Sequence, residues 1–201
     1  MQRFAKRGVW KAAAVAAVLG VAMAGVAVAE EWSSEDGRLQ ITVPGGWPVD
    51  VMSRAGDTVF SIAAGTASQE CRSFVLTNPA TAAATTTQIV RTFAAPFTPE
   101  QWGQIIQGVS MVRGGTLTSS SVDISGFWPR QEAVITHEGA PVYASLQGRP
   151  GYDIYSFCKT WDGPDAPEVY AAVLDSIGSA TDTAAEAAAA AAVAPVAPPP
   201  Q

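Results

Sequence analysis

The chain has 201 residues, 48% hydrophobic and only 15% charged, with a formal net charge of −6. That length carries one modest domain with extras at its ends, and the hydrophobic share excludes an intrinsically disordered chain. Twelve Lys/Arg against eighteen Asp/Glu leave no electrostatic footprint for nucleic acid or anionic lipid, and one His with two Cys excludes most zinc and haem sites.

The N-terminus reads as a secretory signal. Arg3, Lys6, Arg7 and Lys11 make a basic region and residues 12–28 an uncharged, mostly apolar run. Ala27-Val28-Ala29 then supplies the small-x-small cleavage pattern ahead of Glu30 and Glu31. The run falls slightly short of the ~20 residues a bilayer span requires. We therefore expect a signal peptide over residues 1–29 and an exported protein, periplasmic or secreted, with no stable membrane insertion after processing. Its loss leaves 8 basic and 18 acidic side chains, a net charge of −10, with Lys159 the sole lysine.

Leu39, Ile41 and Val43 alternate with Arg38, Gln40 and Thr42 before Pro44-Gly45-Gly46-Trp47, which predicts a half-buried strand closed by a turn. Strands are expected over 57–63 and 70–76. Asn78-Pro79 predicts a helix over 79–93, against which the run Thr85, Thr86, Thr87 counts. Thr98-Pro99-Glu100-Gln101 is a capping box, followed by Trp102, Ile105, Ile106, Val109 and Val112 at helical spacing and a stop at Gly114-Gly115. Four strands over 116–124, 130–137, 141–147 and 152–161, joined by turns at Glu138-Gly139 and 148–151, predict an antiparallel meander. In the last, Tyr152, Ile154 and Cys158 face one way and Tyr155, Phe157 and Trp161 the other, as in a central strand covered on both sides. Asp165 to Glu168 predicts the cap of a final helix carrying Val169, Tyr170, Val173, Leu174 and Ile177, stopped by Gly178. Residues 181–201 are almost entirely Ala, Pro, Val and Thr, a disordered tail whose Ala184–Ala192 stretch is at most transiently helical. It is either a spacer or compositional drift.

The order of elements gives one α+β domain over residues 30–180, a mainly antiparallel sheet with helices packed on it. The strand ending in Pro44-Gly45-Gly46-Trp47, the helix capped by Thr98, the meander and the closing helix with Val173, Leu174, Ser176 and Ile177 resemble the PsbP-like α/β/α sandwich group. The resemblance spans most of residues 37–178. It implies a non-enzymatic scaffold, since members are mainly accessory or binding proteins on photosynthetic, nuclear-transport and bacterial-envelope assemblies. It carries over no functional residue.

Cys71 and Cys158, an even pair in an exported chain, point to a disulfide, with buried free thiols or a reactive thiol as the alternatives. Their separation of 87 corresponds to roughly 4–5 kcal/mol of loop entropy. Ser156 and Lys159 match a Ser-x-x-Lys pattern, yet on an alternating strand they face opposite ways. His137 is the sole candidate imidazole base, placed as an exposed hairpin histidine. Ser125, Ser145 and Ser156 could serve it in a triad, without any nucleophile-elbow motif. Asp162, Asp165 and Glu168 lack the ligand spacing of a calcium loop, and no phosphate-cradling glycine motif occurs, so no metal and no cofactor is expected. Among the aromatics Trp32, Trp47, Trp102, Trp128, Trp161 and Phe127, the pair Phe127-Trp128 falls in an inter-strand loop. It either packs over the sheet edge or forms a docking patch for an envelope protein or glycan. The expected function is that of an exported, non-catalytic binding or accessory protein of the cell envelope. The alternative is an envelope hydrolase or thiol enzyme using His137 or the cysteines.

Overall fold

The strand expected to be covered on both faces, β9 (Tyr152–Thr160), is the middle one of a seven-stranded sheet. The computed structural model describes residues 29–52 and 58–193. Along the chain lie β1 (Glu30–Ser33), β2 (Gln40–Val43), β3 (Val49–Met52), β4 (Thr58–Gly65), β5 (Gln69–Thr77), α1 (Thr86–Phe93) and α2 (Pro99–Gly108). After them come β6 (Thr116–Asp123), β7 (Arg130–His137), β8 (Ala140–Arg149), β9, α3 (Pro167–Asp175) and α4 (Asp182–Val193). The sheet order is β3-β4-β5-β9-β8-β7-β6, antiparallel throughout, while β1 and β2 pair separately. The predicted meander is thus β6 to β9, and β5 closes back on β9.

Period-two alternation divides the core between the two faces. On one face Cys71, Val75, Ile154 and Cys158 meet Leu39, Ile41 and Val43 of β2 and Tyr170, Val173 and Leu174 of α3. On the other, Ala133, Ile135, Val142, Ala144 and Phe157 meet Trp102 and Ile106 of α2, while Leu146 meets Ile89 and Phe93 of α1. Each fully buried Leu, Ile or Val contributes about 1.5–3 kcal/mol. Gly148 is required here, since a Cβ at that position would lie 2.1 Å from the Phe93 ring. The buried amide of Gln131 fastens the α1–α2 connection. It donates to the carbonyls of Phe93 and Ala95 and accepts from the Phe97 N–H.

Several elements depart from expectation for identifiable reasons. The span 79–93 holds a single 3-10 turn at Pro79–Thr81 and then α1, whose start is a capping box of Thr85 and Gln88. The threonine run is therefore the cap, not a weak helix interior. The predicted box at Thr98 and Gln101 is present, but α2 ends at Gly108 because Val109 turns extended (φ −97, ψ 117). Val112 is still buried, from the following turn. The cap expected of Asp165 is absent: α3 starts after Ala166 without a side-chain cap, and Asp165 instead accepts from the Tyr143 hydroxyl and the Ala166 N–H. β1 and β3 were not anticipated. The Ala-rich stretch, expected to be transiently helical at most, is α4, anchored at Asp182. Residues 1–28 of the expected leader and residues 194–201 lie outside the described residues. No helix among those described is long and apolar enough to cross a membrane.

Candidate binding cleft at the β6–β7 loop

Asp123 ends β6 and Arg130 opens β7 directly opposite it, so residues 124–129 form the hairpin loop that carries Phe127 and Trp128. Asp123 Oδ1 accepts from the Ser125 N–H at 2.8 Å, an Asx turn that starts the loop. Bonds from the Ser125 backbone and side chain, with the Arg130 charge adding to them, outweigh desolvation and hold this carboxyl below the ordinary range. Arg130 is shared. It donates to Asp123 Oδ2 (2.9 Å) and Glu132 Oε1 (2.9 Å), and lies 2.6 Å from Asp175 Oδ1 at the end of α3.

Arg149, on β8, lies in the same cleft with only 2% of its side chain exposed. Its Nε and Nη2 donate to the two oxygens of Asp182 at 2.8 and 2.7 Å, and Nη1 donates to the Gly148 carbonyl. Nη2 also reaches Gln147 Oε1, and Gln147 in turn donates to the Ile177 carbonyl. The guanidinium stacks 4.0 Å from the centre of the Trp128 ring. Phe127 stands edge-on to Trp128 at 5.3 Å and remains 36% exposed, next to Ile124 at 65%. The pair divides: Trp128 packs against Ile89, Phe93 and Leu146, whereas Phe127 is partly exposed to solvent. The cleft measures about 420 Å³. Its two guanidinium groups are engaged and four carboxylates, of Asp123, Asp175, Asp182 and Glu186, line it, so the cleft is acidic with acceptors to spare.

The other candidates do not converge on it. Cys71 and Cys158 lie directly opposite each other on β5 and β9, Cα atoms 4.0 Å apart, and form a disulfide. Ser156 points to the disulfide face, bonded to Ser73 at 2.8 Å. Lys159 points to the other face with its Nζ 3.1 Å from the centre of the Trp161 ring, and burial lowers its pKa. His137 is not the exposed hairpin residue expected. Its side chain is 14% exposed, its Nδ1 has no hydrogen-bond partner, and the carboxylate of Glu138 is 3.8 Å away. The turn beside it does form, with Glu138 and Gly139 both at positive φ (53° and 81°), as a two-residue hairpin turn demands. Asp162 and Glu168 are exposed on the surface. Among the described residues no three His, Cys, Asp or Glu side chains form a group able to hold a metal ion. Trp47 and Trp102 are core residues.

The cleft residues not singled out in the sequence are Arg130 and Arg149. A signal was available: Tyr143, Ser145, Gln147 and Arg149 share one parity along β8, so an arginine continues an inward-facing row.

The sandwich of α1–α2, a seven-stranded antiparallel sheet, and α3 with the β1–β2 pair has a PsbP-like α+β fold. Cyanobacterial PsbP (CyanoP) from Synechocystis sp. PCC 6803 superposes with a TM-score of 0.51 over 78% of this chain and 95% of that one, at 13% identity. A protein from Bacteroides thetaiotaomicron matches 77% of this chain and 49% of its own, with a TM-score of 0.45 at 10% identity. No protein-family model and no curated protein sequence matches the chain.

Proposed function

We propose that the protein is an exported, non-catalytic binding or accessory module of the cell envelope, and that it docks a partner protein through the Phe127–Trp128 loop. The observation that carries this reading is the mounting of Phe127. A solvent-facing aromatic ring rests on Trp128, which Arg149 and the α1 cluster hold from below. Aromatic residues are enriched at the cores of protein interfaces, where a few anchors carry most of the binding energy. The competing enzymatic reading needs either a thiol at Cys71 or Cys158, which are bonded to each other, or His137 within ~3 Å of a serine or carboxylate, whereas the carboxylate of Glu138 stands 3.8 Å from its Nδ1.

Two measurements test the proposal. Intact mass of the exported protein, alkylated with and without reduction, should show a chain beginning at Glu30 that takes label only after reduction. A chain that keeps residues 1–29, or that labels unreduced, overturns the export or disulfide component. A photocrosslinking residue at position 127 in the producing cell should give one discrete adduct with an envelope protein. The same residue at Gln107, an exposed position on α2, should give none. Equal adducts at both sites, or none, would remove the docking role.

A further inference from the structure

The two edges of the sheet are unlike. β3 has four residues, follows Pro48 and carries the exposed Asp50, all features that discourage further pairing. β6 has eight residues, Thr-Leu-Thr-Ser-Ser-Ser-Val-Asp, with no proline, no lysine and no charge before its last position. Residues 118–121 are exposed, and β7 is the only strand β6 pairs with among the described residues. Alternate residues of β6 therefore turn their backbone N–H and C=O groups to solvent in a row. One bulge, between Leu117 and Ser119, interrupts it.

A cleft of about 160 Å³ runs beside this edge, between the β6–β7 hairpin and α3, lined by Ser119, Ser121, Glu132, Val134, Leu174 and Asp175. The two carboxylates that line it, Glu132 and Asp175, are not balanced by a cation of their own, because they share the guanidinium of Arg130, beside the cleft, with Asp123. Beyond the end of β6 stand Ile124 and Phe127, two of the four large hydrophobic side chains that are exposed among the described residues. An unpaired strand edge, an acidic cleft for one side chain and an apolar step at one end are the parts of a strand-addition site.

We infer that the β6 edge takes up an extended segment of a partner polypeptide as an eighth strand. A basic side chain of that segment enters the cleft at Glu132 and Asp175, and an apolar one covers Ile124 and Phe127. This rests on the docking role of the Phe127 loop and names the partner's chemistry: a β-strand with Arg or Lys on one face. A second copy of the chain fits poorly, since it brings a net charge of −6, or −10 without residues 1–29, to a cleft that is already acidic.

Hydrogen exchange of the exported protein with a synthetic probe tests this. The probe is an extended peptide of alternating Val and Thr with a Leu at one end and a single Arg at its centre. It should bind and slow exchange over residues 116–123, leaving β3 unchanged. With Glu at the centre, affinity should fall by at least about ten-fold, and N-methylation of alternate peptide amides should abolish binding. Ser119→Pro and Ser120→Pro form a matched pair, because only one of the two N–H groups faces outward. The variant that retains wild-type Tm should lose the probe. Absence of binding, protection at β3 instead, or equal binding by the N-methylated peptide would each overturn strand addition. An adduct at position 127 that persists in such a proline variant would also overturn it, while leaving the docking role of the loop intact. Loss of the adduct at position 127 in wild type would strike that role itself.

Discussion

Arg149 and Arg130 sit on adjacent strands of one cleft and make almost opposite arrangements. Arg149 is 2% exposed and meets one carboxylate, Asp182, in a two-point bond, with its remaining donors on Gly148 and Gln147. Arg130 is 12% exposed and meets three carboxylates whose side chains are 31, 38 and 61% exposed. Counting ion pairs would rank Arg130 as the stronger element. Burial reverses the order: an exposed pair is worth little because water and salt compete for both partners, while losing one partner of a buried pair strands the other charge out of water. Arg149 is thus a fastener that docks α4 on the sheet, and Arg130 leaves a charge surplus at the surface.

The comparison is broken most directly at Arg149. Arg149→Met should lower unfolding free energy by about 3–5 kcal/mol in a denaturant titration, since Asp182 loses its counter-charge and keeps only the Ser179 N–H. A loss below about 1 kcal/mol would mean that water already reaches the pair. Replacing both partners, Arg149→Met with Asp182→Leu, should recover a good part of the loss, because no buried charge remains.

Arg130→Met should cost about 1 kcal/mol and should become milder as salt is raised, since its partners are solvated. A cost equal to that of Arg149→Met would show that the three-carboxylate cluster behaves as a buried network after all.

These two residues also show which parts of the molecule were legible in the sequence. Strands betray themselves through alternation, so β2, β5 and the β6–β9 meander were readable, and with them the disulfide face of β9. Capping chemistry located α2 through Thr98 and Gln101, since both partners of the box lie within one turn. The same logic failed at Asp165, because Tyr143, 22 residues earlier in the chain, takes up its carboxylate. β1, β2 and β3 are four residues each, but the alternation that reveals β2 already begins at Arg38, whereas β1 holds a single apolar residue and Val51 of β3 is half exposed. The cleft was half-read: Phe127 and Trp128 were visible as an aromatic pair in a loop. Their support, by contrast, is tertiary. Arg149 lies two residues past the predicted end of its strand, and Asp182 fell in a segment whose composition suggested disorder. Composition measures how much apolar surface a segment can bury, and α4 is held at its start by one ionic contact instead.

The smallest effects concern carboxylates, and here the sign of the pH dependence separates the two kinds of environment. Asp153, on β9, is buried without an arginine. Oδ2 accepts from Asn78 Nδ2 at 2.8 Å, whereas Oδ1 has no partner. Burial raises its pKa above the ordinary 3.8, and burial, with the Asp153 charge adding to it, pushes the hydroxyl of neighbouring Tyr155 up to about 12. A carboxyl whose folded pKa is raised favours folding only while protonated, so its cost appears as pH climbs through 3.8 toward the folded value. Asp153→Asn keeps an acceptor for Asn78 and removes the buried charge, so it should stabilise the protein by about 1 kcal/mol at neutral pH, and the gain should vanish in acid. Asp123 has the opposite sign. Its pKa is lowered, so it stabilises the fold above the ordinary carboxylate range and loses that contribution as pH falls through its folded value. Asp123→Asn should cost less than about 1 kcal/mol at neutral pH, as befits a partly exposed carboxylate, and nothing in strong acid. If the stability differences of the two variants from wild type shared a sign at pH 7, solvent exposure would not be what distinguishes the charges of this cleft from those of the core.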